Sequence, residues 1–192
     1  MLYRVIKAAF SADEIAEIHT RAATIPPVQG ATVEHDEYRS RDCELRWFEI
    51  GTAHFAWLEK KLNDILRKNE IINPKLTAME DIQYTVYGPG NFHSWHIDAY
   101  RRAYNQFDTV LGKRFVGKKR EVSLSLLLNN ATEFEGGAFE ISLFPNGLNT
   151  VGTKVEDFSV AGDIAIFDSA LSHRVAPVTR GVRKSLVAWV CA

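Results

Sequence analysis

The sequence predicts a mainly β protein of the α+β class, with helices first and a β-sandwich or barrel after them. Apolar residues recur at helical spacing only in the first 75 positions, and beyond Pro74 they come in short runs punctuated by Gly, Pro and Asn. The 192 residues are 46% hydrophobic and 11% aromatic, enough for one sizeable core and too many apolar groups for a disordered chain. One domain over 1–192 is expected, with a helical part at about 1–75 and a β-core at about 80–192.

Taking the elements in order, Ser11 stands three residues before Glu14 and ahead of Ile15, Ile18 and Ala22. That is a capping box opening an amphipathic helix, which Pro26-Pro27 must end. From there to about Cys43 the chain is polar and aperiodic, with His35, Asp36 and Glu37 in it, and reads as a loop. Phe55, Leu58, Leu62, Ile65 and Leu66 then mark a second helix with one buried face. Strands are expected at 82–87, 92–98, 122–128, 138–144, 164–167 and 182–190. Between the second and third of these, Arg101 to Arg120 holds seven bases against the single acid Asp108, with Tyr100, Tyr104, Phe107 and Phe115 interleaved. Such a stretch is by default a solvated loop.

Several function classes fall away on composition. A net charge of −1 supplies no global attraction to nucleic acid or to an acidic membrane. No apolar run approaches the roughly 20 residues that span a bilayer, and the first residues turn charged before a signal-peptide core could form, so a cytoplasmic location is expected. Cys43 and Cys191 stand far apart without CxxC spacing, which suggests neither a disulfide framework nor a thiolate zinc site.

The chemistry concentrates in the second half. In a strand over 92–98, His96 and Asp98 share a face because successive side chains alternate. His173 follows 77 positions later, just after the run 163–167. Two imidazoles and one carboxylate at one end of a barrel form the facial triad of non-haem Fe(II) oxygenases, with open positions opposite. Arg183, ten residues past His173, can reach the same mouth, where a guanidinium fork suits the far carboxylate of a dicarboxylic cosubstrate. Ser185 faces the same way and adds a hydroxyl. His93, three before His96, is expected on the opposite face unless a bulge intervenes. Trp95 and Trp189 bracket the site and read as packing, and Arg120 reads as a structural ion pair.

The run 87–98 (YGPGNFHSWHID), the segment 134–139 (FEGGAF), and Gly162-Asp163, Phe167, His173-Arg174-Val175, Pro177-Val178 and Gly181-Val182-Arg183 together resemble the Fe(II)- and 2-oxoglutarate-dependent dioxygenases. Within these, the prolyl 4-hydroxylase-like branch is the most similar. The resemblance implies a double-stranded β-helix (jelly-roll) core. It implies His96, Asp98 and His173 as catalytic metal ligands, and Arg183, Tyr87 and Ser185 as the 2-oxoglutarate-binding residues. It further implies Fe(II), 2-oxoglutarate and O2, with ascorbate in a supporting role. The Glu135-Gly136-Gly137 turn is similar to one that opens a jelly-roll strand, and a carboxylate at 98, where related halogenases carry a small residue, favours hydroxylation. The expected reaction is C–H hydroxylation of a prolyl or other residue in a peptide or protein, without membrane or nucleic-acid partner. A free amino acid or small metabolite as substrate, and a jelly-roll that binds metal, ligand or nucleic acid without catalysis, stand as alternatives.

Overall fold

The computed structural model describes residues 2–30, 40–71, 78–107, 112–144 and 150–192. Helix α1 runs Ala12–Ala23, and its capping box forms as expected: Ser11 Oγ accepts from the Glu14 N–H, and Glu14 returns a carboxylate to the Ser11 N–H at 2.8 Å. Helix α2 runs Ala56–Lys68. Both lie on one face of a large antiparallel sheet.

That sheet follows the order β1 (Tyr3–Ile6), β11 (Ile164–Asp168), β7 (Arg120–Leu127), β14 (Arg183–Cys191), β5 (Ile82–Tyr87) and β3 (Arg41–Phe48). A second, smaller face follows β6 (Phe92–His96), β12 (Ser172–Val175), β9 (Phe139–Ser142) and β10 (Thr153–Lys154). Strand β3 joins them, because Glu44–Phe48 pair with β5 while Arg41 and Asp42 pair with His93 and Phe92 of β6. Strands β2 (Val28–Gly30) and β4 (Ala78–Met79) flank β3 and β14, and β8 (Phe134–Gly136) pairs with β13 (Val178–Gly181). The molecule is a double-stranded β-helix.

Alternation along the strands makes two cores. On β14, Leu186, Ala188 and Val190 face the helices together with Ile82 and Tyr84 of β5 and Leu124 and Leu126 of β7. Their neighbours Tyr87 and Leu127 point between the two sheets, where they meet Phe139, Phe167 and Val175. Strands β5 and β14 are buried on both faces along most of their length, yet Gln83, Thr85, Arg183 and Ser185 stand on the face turned between the sheets. The polar residues left on the inner face are therefore the ones that need explanation.

Three features differ from expectation. The stretch 26–43 contains β2 and the start of β3, and β1 adds a further strand before α1. His35, Asp36 and Glu37 lie outside the described residues. Strand β6 ends at His96, so Asp98 sits just past it. The basic segment is not simply solvated: Tyr104 and Phe115 are buried against Ala78 and Cys191, and Tyr104 donates to Glu80 at 2.6 Å. Arg120 forks the same carboxylate at 2.9 and 2.6 Å, the structural ion pair expected of it.

The Gly136 expectation holds. Its φ is +71°, and a Cβ there would meet the Pro177 carbonyl oxygen at 2.2 Å. No helix among the described residues is long and apolar enough to cross a membrane.

Asp163 ties β1 to the core. Its side chain is 1% exposed and accepts the Lys7 ammonium and the N–H groups of Ala8 (3.1 Å) and Val160 (2.9 Å). Burial alone would raise its pKa, but Lys7 and the two backbone donors outweigh it and hold the carboxyl below its ordinary value. Asp163→Ala is expected to cost about 2 kcal/mol, since it removes the buried carboxylate that accepts from Lys7 and the two N–H groups. With its folded-state pKa below the unfolded value of about 3.9, Asp163 contributes fully above that pH and its contribution drains as pH falls through the folded-state value. Acid denaturation curves of wild type and Asp163→Asn check this: the wild type should lose its advantage below about pH 4. Equal acid sensitivity in both would assign that loss to another carboxylate.

Candidate active site

The space between the two sheets is a partly open cleft. Tyr87, Arg183, Ser185 and Trp189 line it from the large sheet, and His93, His96, Asp98 and His173 from the small one.

His173 in β12 pairs directly with His96 in β6, which sets the two rings at 4.1 Å between centroids. Asp98 completes the group because the chain turns after β6 and is pinned there: the N–H groups of Asp98 and Ala99 both donate to the Ser169 carbonyl, at 2.9 and 2.8 Å. His96 Nε2 lies 3.7 Å from Asp98 Oδ1, and His173 Nε2 lies 3.5 Å from Oδ2. One ligand atom from each of the three side chains falls within 4.8 Å of the others.

Tautomers follow from the neighbours. His96 Nδ1 contacts the Ser94 carbonyl at 2.8 Å and His173 Nδ1 the Leu171 carbonyl at 2.9 Å. A carbonyl only accepts, so each Nδ1 carries the proton and each Nε2 turns a lone pair toward the cluster. Burial, reinforced by His173, pushes the His96 pKa down to about 4. Burial would raise Asp98, yet the adjacent imidazoles and the Ser123 hydroxyl hold it below its ordinary value. Neutral His96 beside ionised Asp98 is the protonation state a cation requires.

Arg183 lies deeper, 1% exposed, and Tyr87 is opposite it in the β5–β14 register. Its Nη1 donates to Ser185 Oγ at 3.0 Å, and its Nη2 has no partner. Burial depresses its pKa, and Tyr87 acts the other way. Tyr87, also buried, has its phenol pushed up to about 12 and remains a donor. An unanswered guanidinium nitrogen beside a hydroxyl and a phenol is a carboxylate cradle. Two nitrogens and a carboxylate in the same cleft are a donor set for a divalent metal. The residues present fit both groups.

The sequence places His93 on the opposite face unless a bulge intervenes, and a bulge does: pairing of His173 with His96 and of Val175 with His93 sets four residues of β6 against three of β12 and turns His93 inward. Its ring stacks on His96 at 3.6 Å and 18°. Nearly parallel rings cannot aim in-plane lone pairs at one ion, so His93 stands beside the cluster rather than in it. Of the tryptophans, Trp189 lines the cleft, whereas Trp95 packs against Gly152 and carries the Arg174 guanidinium 4.8 Å over its ring.

Fold and site together define a jelly-roll protein with the two-histidine, one-carboxylate cluster of the mononuclear non-haem iron class. The chain belongs to the 2OG-Fe(II) oxygenase superfamily, whose family model matches residues 82–191. It is 40% identical over 169 residues to a PKHD-type hydroxylase of Xylella fastidiosa (strain M23), covering 87% of this chain but 65% of that relative's length. Among solved structures, it resembles a Pseudomonas putida prolyl-4-hydroxylase with a TM-score of 0.62 at 23% identity, covering 98% of this chain and 91% of the other. The viral collagen prolyl hydroxylase of Paramecium Bursaria Chlorella virus-1, in its 2OG complex, gives 0.65 at 20%, covering 100% and 97%.

Proposed function

We propose that the protein is an Fe(II)- and 2-oxoglutarate-dependent dioxygenase that hydroxylates a C–H bond on a prolyl or other residue of a peptide or protein. The observation that carries the reading is the unpartnered Arg183 Nη2, buried in the same cleft as the His96, Asp98 and His173 cluster. A buried guanidinium with no anion is costly unless an anionic ligand completes it.

In this reading His96 Nε2, His173 Nε2 and an Asp98 oxygen hold the iron. Arg183 and Ser185 take the far carboxylate of 2-oxoglutarate, and the Tyr87 phenol donates a further hydrogen bond. When bound, Fe(II) with its cosubstrate and O2 supplies the oxidising power for C–H cleavage. The chain's own part is binding, orientation and exclusion of water by Phe139, Phe167, Val187 and Trp189, which line the cleft. The names of the relatives, a collagen prolyl hydroxylase and a prolyl-4-hydroxylase, support a peptidyl substrate.

An anaerobic titration of metal-free protein with Fe(II) and then 2-oxoglutarate tests this reading. A visible charge-transfer band should grow only when both are present, with Asp98→Ala giving none. Folded wild-type protein that develops no band would overturn the assignment.

A further inference from the structure

Ser123 and Ser169 are both 0% exposed, and both touch Asp98 at the edge of the metal cluster. Ser123 sits mid-strand in β7, where Val or Ala would pack with no hydroxyl to satisfy. Pairing of β11 with β7 sets Phe167 opposite Ser123, and the turn that follows brings Ser169 alongside, its N–H donating to the Glu121 carbonyl at 3.1 Å.

The hydrogen bonds around them have one possible direction. Ser123 Oγ lies 2.7 Å from Asp98 Oδ2 and 2.9 Å from Ser169 Oγ. An ionised carboxylate only accepts, so the single Ser123 proton goes to Asp98. Ser123 can then only accept from Ser169. The result is a relay from Ser169 through Ser123 to Oδ2, while the Ser169 carbonyl holds the Asp98 main chain. The short hydroxyl bond thus falls on Oδ2, while the Trp189 indole stands beside the same carboxyl as a further donor.

The geometry points to Ser123, backed by Ser169, as a positioning residue that reserves Asp98 Oδ2 for the protein and offers Oδ1 alone to the metal. Oδ2 also lies 3.5 Å from His173 Nε2, but a carboxylate oxygen that accepts a short hydrogen bond is the weaker donor of its pair. A carboxylate locked this way binds at one point and leaves the open face of the site free for cosubstrate and oxygen. Released, it can rotate and bind through both oxygens, closing one of those positions. This inference rests on the assignment of His96, Asp98 and His173 as metal ligands.

The test uses Mn(II) alone, with affinity read from the free-ion magnetic resonance signal and bound water from proton relaxation. Ser123→Ala should bind Mn(II) about 10- to 100-fold more weakly, as expected for loss of a ligand's hydrogen-bond partner, and should carry less exchangeable water on the bound ion. Ser123→Thr keeps the hydroxyl and should restore both values. Unchanged affinity and relaxation in Ser123→Ala would overturn the proposal, and so would equal losses in Ser123→Thr, which would mean packing alone. Ser169→Ala, which removes only the outer donor, should weaken Mn(II) about fivefold and carries the test if Ser123→Ala does not fold. Wild-type protein that fails to bind Mn(II), or an Asp98→Ala variant that binds it equally, would instead remove the ligand assignment and this inference with it.

Discussion

Asp98→Ala is expected to lose metal binding by on the order of a thousandfold or more, a larger loss than that of any outer partner, and to lose turnover with it. The reason is charge as much as geometry. His96 and His173 each present one neutral lone pair, and Asp98 is the sole anion of the cluster. Without it, two nitrogens remain as a bidentate imidazole site open to any competing metal. The fold should survive, since the variant removes a buried carboxylate and leaves the Ser123 hydroxyl and the Trp189 indole to find other acceptors. Circular dichroism with a metal titration separates the two effects. A folded Asp98→Ala protein with wild-type affinity and turnover would show that the metal, if any, lies elsewhere.

That Asp98 could be named from sequence, and its surroundings could not, has a physical reason. His96, Asp98, His173 and Arg183 are short-range signals: a two-residue spacing, a histidine after a strand, an arginine ten residues on. Their convergence depends on which strands pair, and the resemblance supplied that. The bulge that turns His93 inward exists only in the β6–β12 register and leaves no trace in β6 alone. Strand β3 was hidden because Glu44 and Arg46 interrupt its apolar residues. Yet Cys43 and Leu45 do alternate with them toward the inner core, a period-two signal masked by charge. Ser123 and Ser125 alternate just as clearly with Leu124 and Leu126. Two serines on the inner face of a strand beside a metal cluster were the sign of polar work there, legible once the faces are assigned. The basic segment misled in the other direction, because Tyr104 is held by Glu80, a partner 24 positions earlier.

The second large effect concerns Arg183, and it has opposite signs for binding and for stability. Arg183→Met keeps the length and apolar stem of the side chain while deleting a fully buried charge whose Nη2 is unpartnered. Leaving such a donor unsatisfied costs about 1–3 kcal/mol, so the ligand-free variant is expected to be more stable than wild type by about that much. Loss of the Nη1 bond to Ser185 offsets part of the gain, because the serine then keeps a hydroxyl with fewer partners. 2-Oxoglutarate, deprived of its charge-assisted partner in a dry site, should bind about 100- to 1,000-fold more weakly, a loss of the size seen when one member of a buried charge pair is removed. In wild type, added 2-oxoglutarate should raise Tm as any ligand selective for the folded state does, and in Arg183→Met the same concentration should leave it unmoved. Metal affinity should stay within a few-fold, since the guanidinium does not touch the cluster. Thermal scans with and without 2-oxoglutarate, on Zn(II)-loaded protein of both kinds, measure all of this without turnover. A Met variant that is less stable and still responds to 2-oxoglutarate would mean that Arg183 is a structural residue and that the carboxylate is held elsewhere in the cleft.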